Sequence, residues 1–83
     1  MRKYTPTGPG RTTYIAGDHV VIARDVIDDR GDIWRNGAQH VEGPNVNARR
    51  KGSKGRPFIG ETAWSDAQRL ADDLYWQTRT ETR

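Results

Sequence analysis

His19-Val20-Val21-Ile22-Ala23-Arg24-Asp25-Val26-Ile27 organises the rest of the chain. It is rich in β-branched residues and bounded by Gly17-Asp18 ahead and Asp28-Asp29-Arg30-Gly31 behind, so it predicts a strand between two turns. Strict alternation puts Val20, Ile22 and Val26 on one face and Val21, Ala23 and Ile27 on the other. Both faces are partly apolar, as in a central strand covered on one side and partly shielded on the other. Arg24 interrupts the first face, and a bulge near Arg24 and Asp25 would account for it.

Working outward, Thr13-Tyr14-Ile15-Ala16 predicts a preceding strand, with order starting at Thr12 or Thr13. Downstream, Asp28-Asp29-Arg30-Gly31 has tight-turn chemistry and Asp32-Ile33-Trp34-Arg35 resumes an extended pattern. Asn36-Gly37 is the preferred pair of a two-residue type I′ hairpin, which predicts reversal there and a returning strand over Ala38-Gln39-His40-Val41-Glu42. Gly43-Pro44-Asn45 ends this meander, since proline donates nothing to a ladder.

Pro57-Phe58-Ile59-Gly60 predicts a short last strand. Ser65 then has the position of a helix cap, with Gln68 completing a capping box and Asp66 complementing the helix dipole. Ala67, Leu70, Ala71, Leu74 and Tyr75 recur at helical spacing as one apolar stripe. The expected fold is α+β: a small antiparallel sheet of three to four strands, a β-meander, packed against one C-terminal α-helix. Ile15, Val20, Ile22, Val26, Trp34, Val41, Phe58 and the stripe are its expected core.

The chain has 83 residues, with 33% apolar and 30% charged side chains against roughly 45–50% and 25% in typical domains, so the core must be small. With no cysteine there is neither a disulfide framework nor a thiolate metal site. Stability must then come from packing, homo-oligomerisation or a partner, and a cytoplasmic setting is expected. No apolar run follows the basic N-terminus, which argues against a secretory signal, and nothing reads as a membrane span. Residues 1–11, with two prolines and two glycines between positions 6 and 10, read as a flexible basic arm, 12–77 as the domain with a basic loop at 47–57, and 78–83 as a frayed tail.

Charge is concentrated in one place. Arg49-Arg50-Lys51-Gly52-Ser53-Lys54-Gly55-Arg56 holds five basic residues and no acid, while the remainder has nine basic against eleven acidic side chains. The net charge of +3 therefore arises from this segment. Clustered Arg and Lys neutralise phosphates with release of counterions, and glycines let backbone N–H groups approach. Arg49, Arg50, Lys51, Lys54 and Arg56 are thus candidate contacts to the phosphate backbone of DNA or RNA, with Arg2, Lys3 and Arg11 as outlying ones. Arg35 is a further candidate, and Trp76, at the edge of the helical stripe, is the best aromatic one.

Catalysis has little support. His19 and His40 lack zinc-site spacing and read as strand residues; turn chemistry accounts for Asp28, Asp29 and Asp32, which are otherwise conceivable cation ligands. Ser53 has no neighbouring histidine, and Gly52-Ser53-Lys54-Gly55 lacks phosphate-loop spacing. No enzyme, cofactor or metal is expected.

Phe58-Ile59-Gly60 leading into Ser65-Asp66-Ala67-Gln68-Arg69-Leu70-Ala71 is faintly similar to the last strand and helix of integrase arm-type DNA-binding domains. That resemblance, over about a quarter of the chain, implies a three-stranded sheet in the major groove, with Arg24 and Arg35 as matching base contacts. The chain departs from the pattern between Asp18 and Glu42, where three Arg meet six carboxylates. The first expectation is a non-enzymatic nucleic-acid-binding domain. The alternative is a compact protein-interaction module, as in phage or accessory proteins that modulate a host assembly, whose basic loop meets an acidic protein surface.

Overall fold

The computed structural model describes residues 3–81. In chain order the elements are β1 (Tyr4–Pro6), β2 (Arg11–Ala16), β3 (His19–Asp28), β4 (Ile33–Glu42), β5 (Phe58–Ile59) and α1 (Ala63–Glu81). They form one curled antiparallel sheet with α1 across one face, the α+β architecture expected from the pattern. β3 is its centre. One edge of β3 takes β1 opposite Val26–Asp28 and β2 opposite His19–Ala23, while the other takes β4, which carries β5 outside it.

Tyr4–Pro6 therefore lies in the sheet, within the stretch read as an arm ahead of the domain. Pro6 is tolerated there because β1 is an edge strand. Met1 and Arg2 lie outside the described residues, as do Thr82 and Arg83, while the helix runs on past Gln77 to Glu81.

The expected hairpin at Asn36-Gly37 is corrected. β4 runs unbroken from Ile33 to Glu42, and the reversal from β3 is made at Asp28–Gly31. Buried Asp28 builds that turn, its carboxylate accepting the N–H groups of Arg30 and Asp32 at 2.9 Å and the Trp34 indole N–H at 3.0 Å. Asn36-Gly37 instead fills a bulge: Arg24 pairs with Ala38 and Val26 with Trp34, so Asp25 alone opposes Arg35, Asn36 and Gly37. Asn36 is left-handed, φ 54°, which asparagine tolerates well. The dipeptide's capacity for unusual φ is used for a bulge in place of a turn.

The bulge resets the alternation of β3. Val21 and Ala23 are buried before it and Val26 and Asp28 after it, so Val26 joins the opposite set from the one strict alternation assigns. On the helix-facing side, Ala16, Val21 and Val41 pack with Ala67, Leu70, Ala71 and Leu74, flanked by Tyr14, Val46, Phe58 and Tyr75. Ile15, expected in the core, is 65% exposed because it faces away from the helix at the edge of the sheet. His19 is fully buried, and neither ring nitrogen has a hydrogen-bond partner among the described residues.

The helix start is also corrected. It begins at Ala63, ahead of Ser65, with the Thr62 carbonyl accepting the Asp66 N–H at 2.9 Å and the Thr62 hydroxyl donating to the Asp66 carboxylate at 2.9 Å. Ser65 donates its hydroxyl to the Thr62 carbonyl and caps nothing. The earlier start buries Ala63 and extends the apolar stripe by one turn.

Candidate nucleic-acid interface

The basic segment folds into successive turns held against the sheet edge. The Gly52 carbonyl accepts the Val41 N–H at 2.8 Å, Ser53 donates to Arg50 O at 3.0 Å and Arg56 to Ser53 O at 3.1 Å. Asn47 receives the Arg50 N–H on its carbonyl and the Arg49 N–H on its side chain, both at 2.9 Å. Gly52 is the anchor. Its φ of 90° disfavours any side chain, and a Cβ there would lie 2.1 Å from the Phe58 ring and 2.8 Å from Leu70. The loop is thus a built part of the domain.

Arg49, Arg50, Lys51, Lys54 and Arg56 are all exposed, and none forms an ion pair; among the described residues Arg11 pairs with Asp25, and His40 meets Glu42. The five cations do not make one patch. Arg50 and Lys51 border a cleft of about 340 Å³ against the helix, with Phe58, Asp66, Arg69, Leu70 and Asp73. Lys54 lies away from that cleft and lines two others, one with Arg24 and His40 on the helix-free side of the sheet and one with Glu42 and Val46. Arg56 folds back so that its guanidinium donates to the Arg49 carbonyl at 3.1 Å.

Trp76 is 61% exposed, one turn beyond Asp73, and so continues the helix side that borders the Arg50–Lys51 cleft. Its ring meets Tyr75 edge-on at 5.7 Å, and the Arg79 guanidinium lies 5.6 Å from both rings. Arg35 lies apart from the loop, in a cleft of about 370 Å³ with Trp34 and Trp64. Trp34 is fixed by Tyr4, edge-on at 5.8 Å, and by Asp28, whereas Trp64 is 47% exposed. Buried Gln39 lines the same cleft, donating to Asn36 O at 3.0 Å while its own carbonyl oxygen has no partner.

Pairing Ile22 with His40 brings together Arg24, which the family resemblance offered as a base contact, and two residues, His40 and Glu42, that the sequence left as ordinary strand positions. His40 is buried, its Nε2 2.7 Å from the Glu42 carboxylate and its Nδ1 3.5 Å from the Arg24 guanidinium. Arginine only donates, so Nδ1 is the acceptor and Nε2 carries the proton toward Glu42. The His40 hydrogen bond holds the Glu42 carboxyl below its ordinary range, with Lys54 and Arg24 adding smaller attractions. The spacing of Arg24, His40 and Glu42 on one face of paired strands was the available signal, hidden by uncertain register.

Asp28 spends its carboxylate on the turn, and among the described residues no three His, Asp or Glu side chains are grouped to hold a metal ion. No described helix is long and apolar enough to cross a membrane. Comparison with protein-family models, curated proteins and solved structures finds no match, so the faint similarity to integrase arm-type domains gains no support from them.

Proposed function

We propose that this is a small non-enzymatic domain that binds DNA or RNA through the phosphate backbone. The observation that carries the reading is the loop itself: five exposed cations without ion-pair partners stand on a backbone fixed by Gly52. A preorganised cationic loop loses little entropy on binding. Arg50 and Lys51, with Arg49 next to them in the loop, contact phosphates on the helix side, where Trp76 offers a ring for stacking on a base. Asp66 and Asp73 temper the charge there, which suits modest affinity in preference to indiscriminate coating. Fluorescence anisotropy with labelled duplex and single-stranded probes tests this. The native chain should bind, and replacing Arg49, Arg50 and Lys51 together by Ala should weaken binding uniformly across sequences.

A second reading rests on a different observation. Ile33, Ile59, Trp64 and Trp76 are large apolar side chains left exposed, Trp64 beside Arg35 in the cleft. Aromatic residues with arginine are typical of protein contact sites. In that reading the chain is an accessory module, phage-like in type, that docks its basic loop on an acidic protein surface in the cytoplasm. A partner retained from lysate after nuclease treatment supports it; loss of every partner with the nucleic acid counts against it.

A further inference from the structure

On the helix-free side of the sheet, Pro6, Arg24, Ala38, His40, Lys54 and Pro57 enclose a cleft of about 260 Å³. Three features set it apart from an ordinary solvated face. Arg24 is half-buried yet, among the described residues, has no carboxylate within salt-bridge distance; the Nδ1 of His40 lies 3.5 Å from its guanidinium. A shielded guanidinium held out of contact with its counter-ion is costly and is normally paired directly. Next, Gly10 lies against it: a Cβ on Gly10 would stand 3.1 Å from the guanidinium carbon and 2.5 Å from Ile22, so the backbone closes over Arg24. Finally, Ala38, the pairing partner of Arg24, contributes only a methyl group to the cleft wall, and Lys54 lines the same cleft from the basic loop. Glu42 is a counter-charge shared by these groups: it accepts from His40 at 2.7 Å and attracts Lys54 and Arg24 from beyond salt-bridge distance, so one carboxylate faces two cations.

We infer that this cleft binds a single phosphoryl group between Arg24 and Lys54. Arginine supplies parallel N–H donors that match two phosphate oxygens, lysine a point charge, and Pro6, Pro57 and Ala38 a low-dielectric wall that strengthens both. His40 fills the floor of the site. The phosphoryl group comes from a free nucleotide or from the terminal phosphate of a strand whose backbone the loop holds. Only the second source rests on the nucleic-acid reading; the site itself does not.

The test is a titration of the full chain, observed by 1H–15N spectra including the arginine Nε–H and histidine ring signals. Inorganic phosphate and adenosine monophosphate are added first, then a short oligonucleotide with a 5′-phosphate and the same one with a 5′-hydroxyl. Saturable shifts centred on Arg24, His40 and Lys54 are expected. Arg24→Gln should weaken the phosphate response roughly tenfold or more. Exposed Lys54→Gln, which carries no risk to the core, should weaken it in the same direction. Exposed Arg30→Gln, in the turn between β3 and β4 and away from the cleft, should leave it unchanged. Preference for the 5′-phosphorylated oligonucleotide over its hydroxyl counterpart identifies a strand terminus; equal binding of the two, with a response to adenosine monophosphate, identifies a free nucleotide. No saturable response to any phosphate, or one indifferent to both Arg24→Gln and Lys54→Gln, overturns the inference. A phosphate response without DNA or RNA binding removes the nucleic-acid reading and leaves the cleft standing.

Discussion

The Asp25 carboxylate accepts the backbone N–H of Asn36 at 2.9 Å across the bulge, and the same oxygen receives the Arg11 guanidinium. Arg11 also donates to the Asn36 side chain, so one carboxylate joins β2, β3 and β4 where the ladder is interrupted. Asp25→Ala should therefore lower the urea midpoint, and by more than Asp29→Ala in the exposed turn. Equal midpoints for the two variants would show that the bulge holds without this carboxylate.

Acid should weaken the same joint. The Asn36 N–H, then Arg11, holds the Asp25 carboxyl below its ordinary value of 3.8, and His40 holds Glu42 below 4.5. For a depressed carboxyl, the folded state is favoured in full above the ordinary value, and that contribution is lost as pH falls through the lowered one. The urea midpoint should thus fall as pH drops below about 5, and Asp25→Asn should flatten the acid limb. An unchanged limb in that variant would assign the acid sensitivity elsewhere.

Gly52→Ala places a methyl group against Phe58 and Leu70 at a φ of 90°. A loss of about 2 kcal/mol or more is expected by chemical denaturation, from strain and steric clash together. Gly31→Ala, also at positive φ but with nothing within 4 Å, should cost less. Equal losses would mean that the contact with the core contributes nothing.

His19 buries two ring nitrogens without hydrogen-bond partners among the described residues. Because a buried unsatisfied polar group costs about 1–3 kcal/mol, His19→Leu should be as stable as the native chain or more so by up to about that amount. A clear loss of stability would show that the imidazole makes a hydrogen bond, for instance to an internal water.

The strands and helix were legible because their patterns are local. Val20 to Ile27 alternate, Ala67 to Leu74 repeat at helical spacing, and the bulge near Arg24 and Asp25 follows from a charge interrupting an apolar face. Asn36-Gly37 misled because left-handed backbone serves a bulge as well as a turn, and the choice depends on β3 being long enough to pair with all of β4. Ser65 misled because Thr62 and buried Ala63 offer an earlier start. Within the site, the sequence marked the cations but not their division: Gly52 docks on Leu70, which leaves Arg50 and Lys51 on the helix side while Lys54 reaches Arg24 and His40. That separation depends on tertiary contacts between residues distant in sequence, and no spacing encodes it.

Nucleic-acid binding by the loop is tested most directly by measuring affinity for a generic duplex and a single strand as salt is raised. Contact with about three phosphates predicts a log–log slope near −3 on duplex and nearer −2 on single strands. The Arg49, Arg50 and Lys51 to Ala variant should lose most of that slope on both. A slope near zero for the native chain, or no binding at low salt, would contradict the account.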